Sequence, residues 1–103
     1  MIDIGGGGGR FLQLLKESTQ ESVNIDPNPM NCKLSIEKGI PSICKNFEEI
    51  DELPFEADII TCFEVIEHLY SPIYLIKKAH SNLAKNGTFV ISTPNAFNIV
   101  RGF

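Results

Sequence analysis

The stretch MIDIGGGGGRF, residues 1–11, decides the fold of this chain, because a short apolar run passes directly into five consecutive glycines and then into a helix. Met1–Ile4 has the length and apolar character of a buried strand. Gly5–Gly9 carry no Cβ, so their backbone can adopt positive φ and approach a ligand closely. Apolar residues at helical spacing follow the glycines: Phe11, Leu12, Leu14 and Leu15. We therefore expect a strand–loop–helix unit with a binding surface at the loop.

The rest of the chain continues to alternate short apolar runs with longer periodic segments. Four further strands are predicted: Ser22–Ile25, Ile40–Cys44, Asp58–Phe63 and Thr88–Ser92. Pro41 favours a sheet edge for its strand, since a missing N–H costs least there. The run DIITCF at 58–63 is typical of a strand that is buried on both faces.

The second helix is predicted from its capping residues. Asn28 is a favoured N-cap residue, and Pro29 suits the first helical position. Gly39 is the expected C-terminal stop. Met30 and Leu34 have the spacing of one apolar face, so we expect them to pack against the sheet.

The third helix is predicted to begin at Ser71-Pro72 and to end at Lys85-Asn86-Gly87. One apolar stripe runs along it: Pro72, Leu75, Ile76, Ala79 and Leu83. Strands that alternate with helices in this way predict a parallel sheet with helices on both faces. Such sheets bind ligands beyond the carboxyl ends of their strands, so the residues that follow each strand are the candidate site.

Composition excludes several classes of protein. The chain has 103 residues, 43% of them apolar and 21% charged, which is typical of a single globular domain and not of a disordered tail. No apolar stretch approaches the roughly 20 residues that a membrane span needs, and no basic leader precedes the first strand. The net charge of −4 argues against nucleic acid as a partner. Three cysteines in no CxxC spacing predict reduced thiols in a cytoplasmic protein.

An acid follows the glycine loop at a characteristic distance. Asp26 lies 21 residues after Gly5, at the end of the second predicted strand, where a carboxylate can accept hydrogen bonds from both ribose hydroxyls. The alternative is a glycine-rich turn followed by a helix-capping acid. A dinucleotide fingerprint requires a third glycine, but the two possible registers place Arg10 or Phe11 there. The glycines therefore favour a nucleoside cofactor other than a dinucleotide.

The pattern Asp3-x-Gly5-x-Gly7-x-Gly9 resembles the first motif of the class I S-adenosylmethionine-dependent methyltransferases. Three later stretches resemble the second motif, the fourth strand with its following turn, and the fifth strand of the small-molecule and ubiquinone-biosynthesis branches: residues 24–27, 58–68 and 83–95. The resemblance runs over nearly the whole chain. It implies a three-layer Rossmann-like sandwich with a mostly parallel sheet of about five strands in the order 3-2-1-4-5.

The resemblance also assigns roles to residues that bind the cofactor S-adenosylmethionine. Asp3 would face its methionine end, usually through water, and the backbone of Gly5, Gly7 and Gly9 would lie beneath the same part of the cofactor. Asp26 would bind the ribose hydroxyls. The remaining contacts would come from Pro27 or Asn28 beside the adenine, from Asn46 and Phe47 after the third strand, and from Phe63 after the fourth. For Phe63 the alternative is ordinary core packing.

Glu64, Glu67 and His68 share one face if their segment is helical, and they resemble the ExxEH signature of ubiquinone-type and small-RNA O-methyltransferases. Three interpretations stay open. The carboxylates could simply favour the positive end of a helix. His68 or a glutamate could be the catalytic base that removes the acceptor's proton. The trio could instead bind Mg²⁺ or another divalent cation that lowers the acceptor's pKa.

The expected function is methyl transfer from S-adenosylmethionine to a small-molecule acceptor, most simply an oxygen. The alternatives are a non-catalytic cofactor-binding fragment and a nicotinamide-dependent oxidoreductase. Residues 1–103 are expected to be one partial domain, because complete members of the family extend beyond both ends. With the last strands missing, the Thr88–Ser92 strand is expected to expose its outer edge, through which the chain would associate with itself.

Overall fold

The computed structural model describes residues 1–63, 72–93 and 96–101, which form a sheet of six strands and three α-helices. The strands are β1 (Ile2–Ile4), β2 (Val23–Ile25), β3 (Ser42–Ile43), β4 (Ala57–Phe63), β5 (Leu83–Thr93) and β6 (Ala96–Arg101). The helices are α1 (Arg10–Leu14), α2 (Pro29–Glu37) and α3 (Pro72–Asn82), with short 3₁₀ turns at Lys16–Ser18 and Phe47–Glu49. Within those ranges no helix is long and apolar enough to cross a membrane.

The sheet has the strand order β3-β2-β1-β4-β5-β6, and its first five strands are parallel. This confirms the predicted order and places β3, with Pro41 just before it, at one edge. Ile4 pairs with Ile25 on one side and with Cys62 on the other, so β1, β2 and β4 end level with one another. The residues that follow these three strands therefore meet at one end of the sheet.

The expected open edge at Thr88–Ser92 is wrong. After β5 the chain reverses, and β6 pairs antiparallel with β5 from Thr93↔Ala96 to Thr88↔Arg101. A paired strand satisfies the outward N–H and C=O groups that would otherwise attract another chain. The sheet therefore gains a strand beyond the five that were predicted, within the same 103 residues.

The third helix ends earlier than its apolar stripe predicts. Leu75 and Ala79 are buried, but α3 stops at Asn82 and Leu83 belongs to β5, where it pairs with Ala57. Four residues separate Leu83 from Thr88, whereas only one separates their partners on β4, so β5 begins with a bulge. Asn86 lies in this bulge at φ 66°, a conformation that asparagine tolerates better than most residues. Pairing with β4 therefore overrides the helical period at Leu83.

The buried face of α2 also differs from the prediction. Asn28 caps the helix as expected, since its Oδ1 accepts from the Met30 N–H at 2.9 Å. Met30 and Leu34 are exposed, however, and the buried residues of α2 are Cys32 and Ser35. The small Ser35 lets the helix approach the glycine loop, because a Cβ on Gly9 would lie only 2.7 Å from its Oγ. Close approach, rather than hydrophobicity, decides which face is inward.

Candidate functional site

The glycine loop between β1 and α1 adopts a backbone that requires glycine at alternate positions. Gly5, Gly7 and Gly9 have φ values of 70°, 60° and 84°. Residues with a Cβ rarely adopt this left-handed backbone conformation, whereas glycine adopts it without a steric penalty. The loop is anchored at both ends, since the Gly5 N–H donates to Ile25 O at 2.6 Å and the Gln13 N–H donates to Gly9 O at 2.9 Å. The predicted strand–loop–helix unit is confirmed.

The surroundings of the glycines show which part of the loop can receive a ligand. A Cβ on Gly6 would clash with Asn24 Oδ1 and lie 2.6 Å from Asp3 Oδ2, so this glycine packs against buried side chains. A Cβ on Gly8 would lie 3.1 Å from Lys38 Nζ. At Gly7 none of the described residues, apart from its chain neighbours, has an atom within 4 Å of the added Cβ. Among the described residues, the Cα side of Gly7 is therefore uncovered, while its N–H and C=O are hydrogen-bonded to Asp26 and Asn24.

Asp26 connects the end of β2 to this loop. Its Oδ2 accepts from the Gly7 N–H at 3.0 Å. Its Oδ1 accepts from the Asn28 N–H at 2.9 Å and from Asn31 Nδ2 at 3.3 Å. The side chain is only 7% exposed, so these bonds hold the carboxylate in one orientation at the mouth of the loop. Two features that the sequence places 19 residues apart, Gly7 and Asp26, thus form one site.

Asp3 lies beneath the loop. It is 2% exposed, and its Oδ1 accepts from Thr61 Oγ1 at 2.7 Å. Burial raises the pKa of Asp3 to about 6; the charge of Asp26 adds to this effect, and the Thr61 hydrogen bond opposes it. The Asp3 carboxyl group therefore titrates close to neutral pH, directly under the backbone of Gly6.

Two residues that support the loop were missed by the sequence analysis. Asn24 is fully buried, and its Nδ2 donates to Gly7 O at 2.7 Å; its Oδ1 has no hydrogen-bond partner among the described residues. Lys38 Nζ donates to Gly8 O at 2.8 Å from the far end of α2. An asparagine within an apolar strand could have been noticed as a buried polar group that needs a partner. Nothing in the sequence links Lys38 to Gly8.

The other predicted cofactor contacts lie around this centre in different environments. Pro27 is exposed directly after Asp26. Asn46 is exposed and caps the 3₁₀ turn that follows β3. Phe47 is only 2% exposed; it belongs to the core, with Lys78 Nζ 5.2 Å from its ring centroid. Its ring therefore offers little surface to a ligand in this structure.

Phe63 ends β4 beside the glycine loop and is half-buried. Its ring meets that of Phe11 edge to face, with centroids 5.1 Å apart and planes at 89°. This geometry is the favourable one for two aromatic rings. The contact joins the end of β4 to the start of α1.

Glu64, Glu67 and His68, predicted as catalytic or metal-binding residues, lie outside the described residues. In residues 1–63, 72–93 and 96–101, no group of three or more His, Cys, Asp or Glu side chains could hold a metal ion. The described part of the site therefore consists of the glycine loop, Asp26, Asp3 and their supports.

Comparison with curated proteins finds ubiquinone biosynthesis O-methyltransferases. The protein from Idiomarina loihiensis is 28% identical over 102 residues, which is 92% of this chain and 42% of that protein. The protein from Pseudomonas aeruginosa PAO1 is 24% identical over 102 residues, with 92% and 44% of the two chains covered. The chain thus spans less than half the length of these relatives.

Solved structures show the same fold. The plantazolicin methyltransferase BamL, solved with a desmethylPZN analog and SAH, has a TM-score of 0.80 at 26% identity, covering 87% of this chain and 36% of that one. CalS10, a SAM-bound amino pentose methyltransferase from Micromonospora echinaspora, has a TM-score of 0.80 at 18% identity, covering 89% and 41%. The family described as "Methyltransferase domain" matches residues 1–101. With that match over nearly its whole length, the chain belongs to the methyltransferase domain family.

Proposed function

We propose that this chain forms the S-adenosylmethionine-binding part of an enzyme that transfers a methyl group to an oxygen atom of a small-molecule acceptor. The observation that carries the proposal is the Gly7–Asp26 junction: a hydrogen-bonded carboxylate lies beside a glycine whose Cα side no described residue covers. The arrangement suits a nucleoside whose ribose binds the acid while the rest of the ligand lies along the glycines. BamL and CalS10, solved with SAH and SAM, support this choice of cofactor.

Each cofactor contact is proposed from its place around the junction. Asp26 would accept from the ribose: a carboxylate has about four lone-pair sites and three donors now bind it, which leaves about one site free for a hydroxyl, and a second hydroxyl would have to replace one of the present donors. The backbone of Gly5, Gly7 and Gly9 would lie beneath the methionine moiety, with Asp3 below. The adenine would border Pro27 and Asn46, with Phe47 behind them in the core, and Phe63 would close the side nearest β4.

The bound cofactor would supply a methyl group already activated as a sulfonium. The protein would then hold the acceptor in line with that group and exclude water, because orientation supplies much of the acceleration in such a step. Rigid anchoring of the loop at Gly5 and Gly9 serves this purpose.

The acceptor class is proposed from the relatives. The curated matches are named as ubiquinone biosynthesis O-methyltransferases, which favours transfer to oxygen on a small molecule. The net charge of −4 supports a partner other than nucleic acid. The cytoplasmic location that we propose rests on the sequence, in which the number of cysteines is odd and none has CxxC spacing. Residues 1–103 would be one partial domain of the active enzyme.

Glu64, Glu67 and His68 follow β4 in the sequence, and the carboxyl end of β4 borders the proposed cofactor site. We assign them to the acceptor's proton: either His68 or a glutamate removes it, or the trio holds Mg²⁺ that lowers the acceptor's pKa. EDTA treatment of the active enzyme separates these roles. Loss of methyl transfer that Mg²⁺ restores supports the metal, whereas indifference to EDTA with loss in His68→Ala supports the base.

Calorimetry with S-adenosylhomocysteine tests the cofactor assignment. Asp26→Asn should weaken binding at least tenfold, because charge-assisted hydrogen bonds contribute about 1.5–3 kcal/mol each. Asp51→Asn is the matched control, since Asp51 is an exposed acid on the loop between β3 and β4. Equal affinities for the two variants would contradict the ribose assignment. Stabilisation of the wild-type chain by NADH in a thermal-shift measurement, and not by S-adenosylhomocysteine, would favour the oxidoreductase alternative.

A further inference from the structure

Two cysteine thiols flank the backbone that carries Asp26. Cys32 Sγ, in the first half of α2, donates to Asp26 O at 3.1 Å. Cys44 Sγ, directly after β3, donates to Pro27 O at 3.6 Å. The two acceptors are consecutive carbonyl groups, so both sulfur atoms contact the same short backbone segment, Asp26-Pro27.

The sheet register explains why the cysteines meet. Ile25 pairs with Ile43, and the Asp26 N–H donates to Ile43 O at 3.1 Å, which places Cys44 beside Asp26. After the turn that follows Asp26, α2 places the Cys32 thiol against Asp26 O. The neighbouring Cys32 thiol raises the pKa of Cys44, with smaller contributions from partial desolvation and from the charge of Asp26.

The cysteines differ in access in the way that a redox pair requires. Cys44 is exposed, so an oxidant in solution can reach its sulfur, whereas Cys32 is buried at 6% exposure. A mixed disulfide at Cys44 would therefore form next to a second thiol that is itself shielded from the solvent.

We propose that Cys32 and Cys44 are a thiol–disulfide pair, oxidised by a low-molecular-weight disulfide such as glutathione disulfide, and that oxidation weakens cofactor binding at Asp26. The effect of oxidation on cofactor binding rests on the proposed function, whereas the existence of the thiol–disulfide pair does not.

The chemistry balances in two exchange steps. The fraction of Cys44 that is thiolate, kept small by its raised pKa, attacks one sulfur of glutathione disulfide, forming a mixed disulfide and releasing one glutathione thiolate. The Cys32 thiol loses its proton and attacks the Cys44 sulfur, forming the Cys32–Cys44 bond and releasing the second glutathione. Two protein thiols are oxidised, one glutathione disulfide is reduced, and the two protons end on the two glutathione molecules.

Oxidation would act on Asp26 through its backbone. Both S–H donors disappear, so Asp26 O and Pro27 O lose the hydrogen bonds described above. The new bond also ties the start of α2 directly to the end of β3, across the turn that orients the Asp26 carboxylate. We expect affinity for S-adenosylhomocysteine to fall about fivefold, the effect of losing one ordinary hydrogen bond.

The test begins with a measurement that does not depend on cofactor binding. The chain is incubated at pH 8 with glutathione disulfide, the remaining thiols are alkylated, and peptides are mapped by mass spectrometry. We expect a Cys32–Cys44 crosslink in the wild-type chain and in Cys62→Ser. Cys62 is the matched control because it is buried in β4, between Ile4 and Ile91 in the pairing register. Cys32→Ser should instead retain glutathione on Cys44.

Stable glutathionylation of Cys44 in the wild-type chain, or a crosslink to Cys62, would overturn the pair. Calorimetry with S-adenosylhomocysteine on the oxidised chain, before and after reduction by dithiothreitol, tests whether oxidation weakens cofactor binding. A crosslink without a change in affinity overturns the regulatory role alone. If neither form binds S-adenosylhomocysteine, the proposed function fails, while the peptide map still decides whether the pair exists.

Discussion

The Gly7 N–H donates to Asp26 Oδ2 at 3.0 Å, which joins the loop after β1 to the acid after β2. Parallel pairing of Ile4 with Ile25 sets up this contact by ending both strands at the same level. The left-handed backbone at Gly7, with a φ of 60°, accompanies the hydrogen bond from its N–H to Asp26. Strand register and glycine conformation together therefore build the candidate cofactor site.

Gly7→Ala should impair binding more than stability. Its Cβ would meet none of the described residues within 4 Å, apart from its chain neighbours, and would point to where the cofactor is proposed to lie. The left-handed backbone costs a non-glycine residue roughly 1–2 kcal/mol. Gly39→Ala is the matched control, because Gly39 has a φ of 79° at the end of α2 and its Cβ would meet the flexible end of Lys16. We expect similar losses of unfolding free energy in urea, with about tenfold weaker S-adenosylhomocysteine binding only in Gly7→Ala. Unchanged binding in Gly7→Ala would contradict the proposed cofactor position.

Asp3 should make the free energy of unfolding depend on pH. Its pKa is raised from an ordinary 3.8 to about 6 in the folded chain, so folding favours the protonated acid. This stabilisation is fully present below pH 4 and is lost as the pH rises through about 6. A shift of about two units corresponds to about 3 kcal/mol. Asp3→Asn keeps an acceptor for Thr61 and should unfold at higher urea concentration than wild type at pH 7, with a smaller difference between pH 4.5 and 7.

The exposed Asp58 provides the control for that experiment. Asp58→Asn should keep the wild-type loss of stability between pH 4.5 and 7, because it leaves the buried acid in place. If Asp3→Asn and wild type show parallel pH profiles, Asp3 is not the group responsible.

Asn24 should matter to the loop through its amide group. Asn24→Ala removes the hydrogen bond from Asn24 Nδ2 to Gly7 O, which helps to position the loop. We therefore expect S-adenosylhomocysteine to bind about fivefold more weakly. Asn82→Ala is the matched control, since its Nδ2 also donates to a backbone carbonyl, Lys78 O at 2.8 Å, but in α3. Equal affinities in the two variants would mean that the Asn24 bond does not position the loop.

Removal of β6 should cause self-association. Deletion of residues 94–103 uncovers the outer edge of β5, which the structure pairs with Ala96–Arg101. Sedimentation velocity at tens of micromolar should then show larger species for the shortened chain than for residues 1–103. A shortened chain that sediments as a monomer would show that the uncovered edge does not attract a partner.

The sequence by itself determined the elements whose causes are local. Glycine permits the positive φ that Gly5, Gly7 and Gly9 adopt, Asn28 and Pro29 begin α2, and the apolar run of β4 is buried at Ile60, Thr61 and Cys62. The alternation of strands and helices determined the parallel order, because crossover connections allow few arrangements. The spacing of Asp26 from the glycines likewise indicated that the two belong to one site.

Only the tertiary structure decided which side chains meet across the elements. Ser35 rather than Leu34 faces inward because Gly9 must approach α2 closely. Leu83 leaves its helical stripe because β4 offers backbone partners. Asn24 Oδ1 has no hydrogen-bond partner in the part of the chain that the structure describes, and the pKa of Asp3 is raised. Both follow from burial under the glycine loop, which is distant from Asn24 in sequence but in contact with it in space. Local propensity cannot encode such contacts, since they depend on the distance between chain segments after the sheet has formed.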